Sequence, residues 1–179
     1  MGNQLQGHIV CLPKTSPARR IDDYRPLTLM NTDYKIFTRI VANKPRTGLP
    51  AIIHPSQHWR AREIRYDAVA TVRGVITYAE VTKQPICVVS LDFSAAFDNI
   101  SHVYMEDVLR AHGFSKCFTD CIVRLYDGAS SEVQISGFCS SLIPKRSSIR
   151  QGCPLSMLLF ALCLNPLLHA LDAASAESR

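Results

Sequence analysis

The stretch 88-VVSLDFSAAFDNISH-102 drives a run of apolar, strand-forming residues straight into an aspartate, then places three small residues before the next aromatic. Cys87, Val88, Val89 and Leu91 suit a buried β-strand, because β-branched and aliphatic side chains pack well on a pleated surface. Asp92 falls where that strand should meet solvent. A carboxylate at such a point is either a turn residue or a ligand.

The rest of the chain bounds the choice. At 179 residues with 47% hydrophobic content it is long and apolar enough to build one core, which excludes a disordered segment. Its 7 cysteines are scattered and never form a C-x-x-C pair. Neither a disulfide framework nor a zinc site is suggested, so no disulfide partner and a reducing, intracellular compartment are expected, cytoplasmic or nuclear. No apolar stretch is read as approaching the roughly 20 residues of a membrane span, and the first residues lack a signal peptide's apolar core. No membrane partner is expected.

The net charge of +5 is unevenly placed. Lys14, Arg19, Arg20, Arg25, Lys35, Arg39, Lys44 and Arg46 stand against only Asp22, Asp23 and Asp33, so the segment from Pro13 to Arg46 carries the whole excess. A polyanionic partner would be drawn mainly to that third of the chain.

Periodicity supplies the remaining elements. Gly7 to Leu12 reads as a short strand ended by Pro13, with a polar loop running to Asp23. Thr32 offers an N-cap for a helix over 33-DYKIFTRIVAN-43 that should bury Ile36, Phe37, Ile40 and Val41, and Pro45 should stop it. A helix is expected from Asp67 to Ala79, another from Ser101 to Ala111 broken by Gly113, and another from Lys116 to Tyr126. Val133 and Ile135 alternate with polar residues, Gly137 turns the chain, and Leu142 to Arg146 returns as a second strand. The class is a helix-rich α+β domain.

The segment 149-IRQGCPLSMLLFALCLNPLLHAL-171 leads a tight glycine turn into Pro154 at a helix's first turn, then into a strongly apolar helix that Pro166 should kink or interrupt. The order LDFSAAFD, a helix, a hairpin-like stretch and then RQGCPLS before an apolar helix resembles the reverse transcriptase domain of non-LTR (LINE-type) retrotransposons. The stretches 8-HIVCLPK-14, 24-YRPLTLMNTDYKIFTRIVAN-43 and 53-IHPSQ-57 look like the upstream blocks of the same family. The resemblance runs from about residue 8 to residue 171.

That resemblance implies a right-hand polymerase arrangement. Residues 1–85 would form a fingers-like part, 86–171 the first half of a palm, and 172–179 a tail. Polymerases of this kind extend a primer by two-metal phosphoryl transfer. Asp92 matches the family's first metal-binding aspartate, and the Phe93 backbone carbonyl would touch the triphosphate-bound ion. Mg²⁺ is the implied cofactor, since hard oxygen donors suit it. Phe97 corresponds to the steric gate against a ribose 2′-hydroxyl, and Gln151 and Gly152 to the nucleotide and template side of the pocket. Lys14, Arg25, Lys35, Arg62 and Arg150 would meet template phosphates. The implied partners are an RNA template, a DNA primer and deoxynucleoside triphosphates.

Departures from the family pattern carry equal weight. Its Tyr-Ala-Asp-Asp box, which supplies the other catalytic aspartates, should follow the apolar helix and is absent from the 179 residues. One carboxylate does not hold two metal ions against solvent. The polypeptide alone is therefore expected not to polymerise, with a non-catalytic nucleic-acid-binding remnant as the alternative. Ala95 stands where a lysine is common, and 57-QHWRAR-62 lacks the family's glycine. The strand before Asp92 and the apolar helix should also expose apolar surface and a bare sheet edge, giving poor solubility.

Overall fold

The structure, a computed structural model, describes residues 5–57 and 62–177, without the side chains of 62–67. The 58-HWRA-61 portion of the shortened block lies outside the described residues.

Strands β1 (Gln6–Pro13) and β2 (Tyr24–Met30) pair antiparallel, with Ile9 opposite Thr28 and Cys11 opposite Pro26. Strand β3 (Ser130–Ile135) runs parallel to β1, pairing Ile9 with Val133. The sheet order is β2-β1-β3-β4, where β4 is Phe138–Cys139 and β5 (Ile143–Pro144) also pairs with β3. Strands from both sides of residue 85 therefore share one sheet, and the buried core likewise draws on both sides.

Six helices accompany the sheet among the described residues: α1 (Thr32–Asn43), α2 (Leu49–Ile52), α3 (Arg62–Thr82), α4 (His102–Ala111), α5 (Lys116–Tyr126) and α6 (Ser156–Glu177). Local chemistry sets several of their ends. The Ser101 hydroxyl accepts the Tyr104 N–H at 3.1 Å and the Ser115 hydroxyl accepts the Phe118 N–H at 3.3 Å, so each serine satisfies a donor the helix start leaves free. Gly113, at φ +77°, ends α4. Its N–H reaches the Arg110 carbonyl while the Phe114 N–H reaches that of Leu109, a pair of bonds that needs a left-handed residue between them.

The core gathers around the first half of α6. Leu155, Leu159 and Leu162 are fully enclosed with Met105 and Leu109 of α4, Ile122 of α5, and Leu49 of α2. Asn165 closes this arrangement from the polar side. Its amide oxygen accepts the His54 N–H at 2.6 Å and Gln57 Nε2 at 3.2 Å, and its amide nitrogen donates to the Ile52 carbonyl at 2.9 Å and to His112 Nε2 at 2.9 Å.

Three expectations are corrected. The strand before Asp92 does not form: residues 84–93 are irregular, and Val88, Val89 and Leu91 are exposed. Strand propensity needs a partner ladder to become a strand, and no described strand runs beside this segment. In α1 the buried face is Tyr34, Thr38 and Val41, while Ile36, Phe37 and Ile40 face outward. As expected, α1 ends at Asn43, before Pro45, and a 3-10 turn over Lys44–Thr47 follows it. Finally, α6 extends through the expected tail to Glu177, contains Pro166 without interruption, and is by length and composition long and apolar enough to cross a membrane. Only its first half is core.

Candidate functional site

Two of the sequence blocks meet across the middle of the fold. The Ile149 N–H donates to the Phe97 carbonyl at 2.7 Å and the Ser148 N–H to that of Ile100 at 2.9 Å, continued by a bridge between Ser101 and Ser147. The turn after Asp92 is held by its own backbone, with the Asp98 and Asn99 N–H groups on the Ala95 carbonyl and Asn99 Nδ2 on that of Ser94.

The glycine turn is fixed from the other side by β2. The Thr28 N–H donates to the Gln151 carbonyl at 3.2 Å, and Gly152 adopts φ +97° so close to β2 that a Cβ there would meet the Thr28 carbonyl oxygen at 3.0 Å. Only glycine combines that dihedral with that approach. The Ser156 hydroxyl then donates to the Arg150 carbonyl, joining the turn to the start of α6.

These contacts shape a pocket of roughly 420 Å³ lined by Leu27, Arg39, Phe97, Gln151, Gly152, Cys153, Pro154, Ser156 and Met157. Phe97, Gln151 and Gly152 thus share one concavity. The Phe97 ring stacks on Phe160 at 4.8 Å and so stands as the boundary between pocket and core. Asp92 and Phe93 do not line this pocket. Phe93 borders a separate apolar hollow of about 240 Å³ with Tyr104, Phe160 and Cys163, and Asp92 is exposed with no hydrogen-bond or ion-pair partner among the described residues.

The expected phosphate contacts are dispersed. Lys14 Nζ donates to the Asp22 carbonyl at 2.9 Å, Arg25 is exposed on β2, and Lys35 is half-buried on α1. Arg62 begins α3, and its side chain lies outside the described residues. Arg150 is turned inward instead of toward a phosphate: it is 3% exposed, its Nη2 donates to the Leu5 carbonyl at 2.6 Å, and its guanidinium lies 5.1 Å above the Tyr34 ring. There it ties the start of β1 and α1 to the glycine turn. Burial pushes the Tyr34 hydroxyl well above its ordinary pKa, partly offset by the Arg150 charge.

Arg39 was legible only as one basic residue among eight. Its place in the pocket follows from the reversed face of α1, which no spacing rule distinguishes.

A positive-φ glycine turn packed on a strand, opposite an aromatic from a neighbouring turn, defines a pocket in an α+β domain. The family of that domain is given by comparison with known proteins. A family model described as reverse transcriptase (RNA-dependent DNA polymerase) matches residues 12–177. A transposon TX1 uncharacterized 149 kDa protein from Xenopus laevis is 33% identical over 159 residues, covering 88% of this chain and 12% of that protein. The retrovirus-related Pol polyprotein of the type-2 retrotransposable element R2DM from Drosophila melanogaster is 28% identical over 171 residues, covering 92% of this chain and 15% of the relative. The retrovirus-related Pol polyprotein of the type-1 retrotransposable element R2 from Nasonia vitripennis is 26% identical over 171 residues, covering 93% of this chain and 16% of the relative. The chain belongs to the reverse transcriptases of non-LTR retrotransposons. It spans between 12% and 16% of the length of these three relatives.

The family uses a divalent metal. Among the described residues no group of three His, Cys, Asp or Glu side chains gathers to hold one, and Asp92 with the Phe93 carbonyl does not make a donor set for a pair of ions. No step through a metal is derived from these residues.

Proposed function

We propose that this chain is a piece of an RNA-directed DNA polymerase, comprising fingers and the first half of a palm, and that it does not polymerise by itself. The observation that carries this reading is the shared pocket of Phe97, Gln151 and Gly152 in a chain of the reverse transcriptase family. In the complete site, the Phe97 ring excludes a ribose 2′-hydroxyl, the Gln151 amide offers both a donor and an acceptor to the nucleotide or template, and Gly152 lets the backbone approach closely. Asp92 and the Phe93 carbonyl contribute oxygen donors toward Mg²⁺ once further carboxylates join them. Lys14, Arg25, Lys35 and Arg62 attract the RNA template and DNA primer through phosphates.

The alternative, a nucleic-acid-binding remnant without chemistry, is favoured by one observation: Asp92 rests on an irregular, exposed segment instead of a rigid strand end. Primer extension on poly(rA)/oligo(dT) with Mg²⁺, beside an Asp92→Ala control, tests inactivity. The proposal expects no incorporation above the control. Incorporation above it would show that the chain polymerises unaided and would overturn the proposal. Activity gained on adding a downstream segment with a Tyr-x-Asp-Asp box would separate a polymerase piece from a remnant.

A further inference from the structure

We propose that Arg39, Asn43 and Arg46 form a phosphate track along which a single RNA strand leaves the Gln151–Gly152 pocket. The inference rests on the nucleic-acid reading above and adds residues and a direction to it. Arg39 lines the Gln151–Gly152 pocket, while Asn43 and Arg46 line a second hollow of roughly 230 Å³. The two hollows share Pro154 and Met157, so they are consecutive stations on either side of one ridge.

Residue spacing explains the alignment. Positions 39, 43 and 46 recur at i, i+4 and i+7, which places them on one face of α1 and the 3-10 turn that continues it. The 3-10 turn Lys44–Thr47 follows directly on α1 and keeps Arg46 on that face. The arginine Cα atoms are thereby set roughly 10–12 Å apart along the axis. That separation suits phosphodiesters one or two nucleotides apart on a strand better than the contiguous phosphates of one nucleotide. Both arginines are exposed, no carboxylate lines either hollow, and Arg39 makes no ion pair among the described residues. Met157, half exposed between the stations, offers an apolar platform for one base.

The test is fluorescence anisotropy of the full chain with a labelled single-stranded RNA of about twelve nucleotides, measured against salt. Losing two phosphate contacts in R39A/R46A should lower the slope of log K against log salt by about 1.4, and R39K/R46K should restore most of it. R19A/R20A, with the same charge loss in the loop before β2, should leave the slope near wild type. Circular dichroism melts of all three variants should remain cooperative, so that a change of slope reads binding and not unfolding. Equal slope losses in R39A/R46A and R19A/R20A would mean diffuse attraction and would overturn the track. An unchanged slope in R39A/R46A, with RNA still bound, would sink the track and leave the polymerase reading standing. If wild type bound no RNA, both would fall. Displacement of the RNA from both arginines by free deoxythymidine triphosphate would reassign them to one nucleotide and overturn the track.

Discussion

Gly152 lies directly under the backbone of β2, where an added Cβ would come 3.0 Å from the Thr28 carbonyl oxygen and 3.2 Å from Leu27 Cδ1. Its φ of +97° is also one that L side chains rarely adopt. The nearer contact is backbone against backbone and cannot yield cheaply, whereas the end of the Leu27 side chain can shift. Gly152→Ala is expected to cost on the order of 2–3 kcal/mol. Urea titration of the variant measures this, and a loss below about 0.5 kcal/mol would mean that β2 and the turn are not in contact.

Asn165 is 1% exposed and joins two other pieces of chain to α6, the 52–54 segment through Ile52 and His54 and the end of α4 through His112. Asn165→Leu keeps the bulk but leaves the His54 N–H and the Ile52 carbonyl without their partner, a loss of about 2–4 kcal/mol. Asn165→Asp retains the acceptor for His54 and sets an oxygen against the Ile52 carbonyl, so it should be destabilised as well. Chemical denaturation distinguishes this from a mere packing role, in which Asn165→Leu would be as stable as wild type.

What the sequence made legible is whatever short-range chemistry decides. Helices α4 and α5 stand within a residue of their expected bounds because Ser101, Ser115 and Gly113 punctuate them locally. Strand β1 followed from a short apolar run, whereas β2 was hidden by Pro26, which reads as a strand breaker yet is tolerated on the sheet's outer strand. The α1 face was misjudged because two stripes compete, and the more apolar one lost. Thr38 is buried at no polar cost, since its hydroxyl donates to the Tyr34 carbonyl at 2.8 Å. Parallel pairing of β1 with β3, and the inward turn of Arg150, depend on tertiary neighbours that no local pattern encodes. In the site, Phe97, Gln151 and Gly152 were legible together, while Asp92 was placed on a strand that needs a neighbour to exist.

The exposed run before Asp92 makes a prediction about solution behaviour. Leu91 is 82% exposed and Val89 71%, so Val89→Ser/Leu91→Ser removes apolar surface that water already covers. Stability should change by no more than about 0.5 kcal/mol per site, while sedimentation at high concentration should show a larger monomer fraction. Leu159→Ala, in a fully enclosed site, should by contrast cost about 2–5 kcal/mol. Comparable losses at both places would mean that residues 88–91 are packed in solution.

Alkaline pH probes the core through α6. Burial pushes the Cys163 thiol up from 9.0 to about 12, because the enclosed site disfavours the thiolate. A raised pKa in the folded state stabilises the protein fully below the unfolded value of 9.0, and that contribution is lost as pH rises toward 12. Tyr34 and Tyr126 shift upward for the same reason from 10.0, so their loss begins later on the same limb. Between about pH 8 and pH 10, wild type under reducing conditions should therefore lose about 1 kcal/mol more than Cys163→Ala. Above that range Tyr34→Phe should flatten what remains of the slope. Urea midpoints across the series read the difference directly, and parallel curves for wild type and Cys163→Ala would show that the α6 thiol meets solvent in the folded protein.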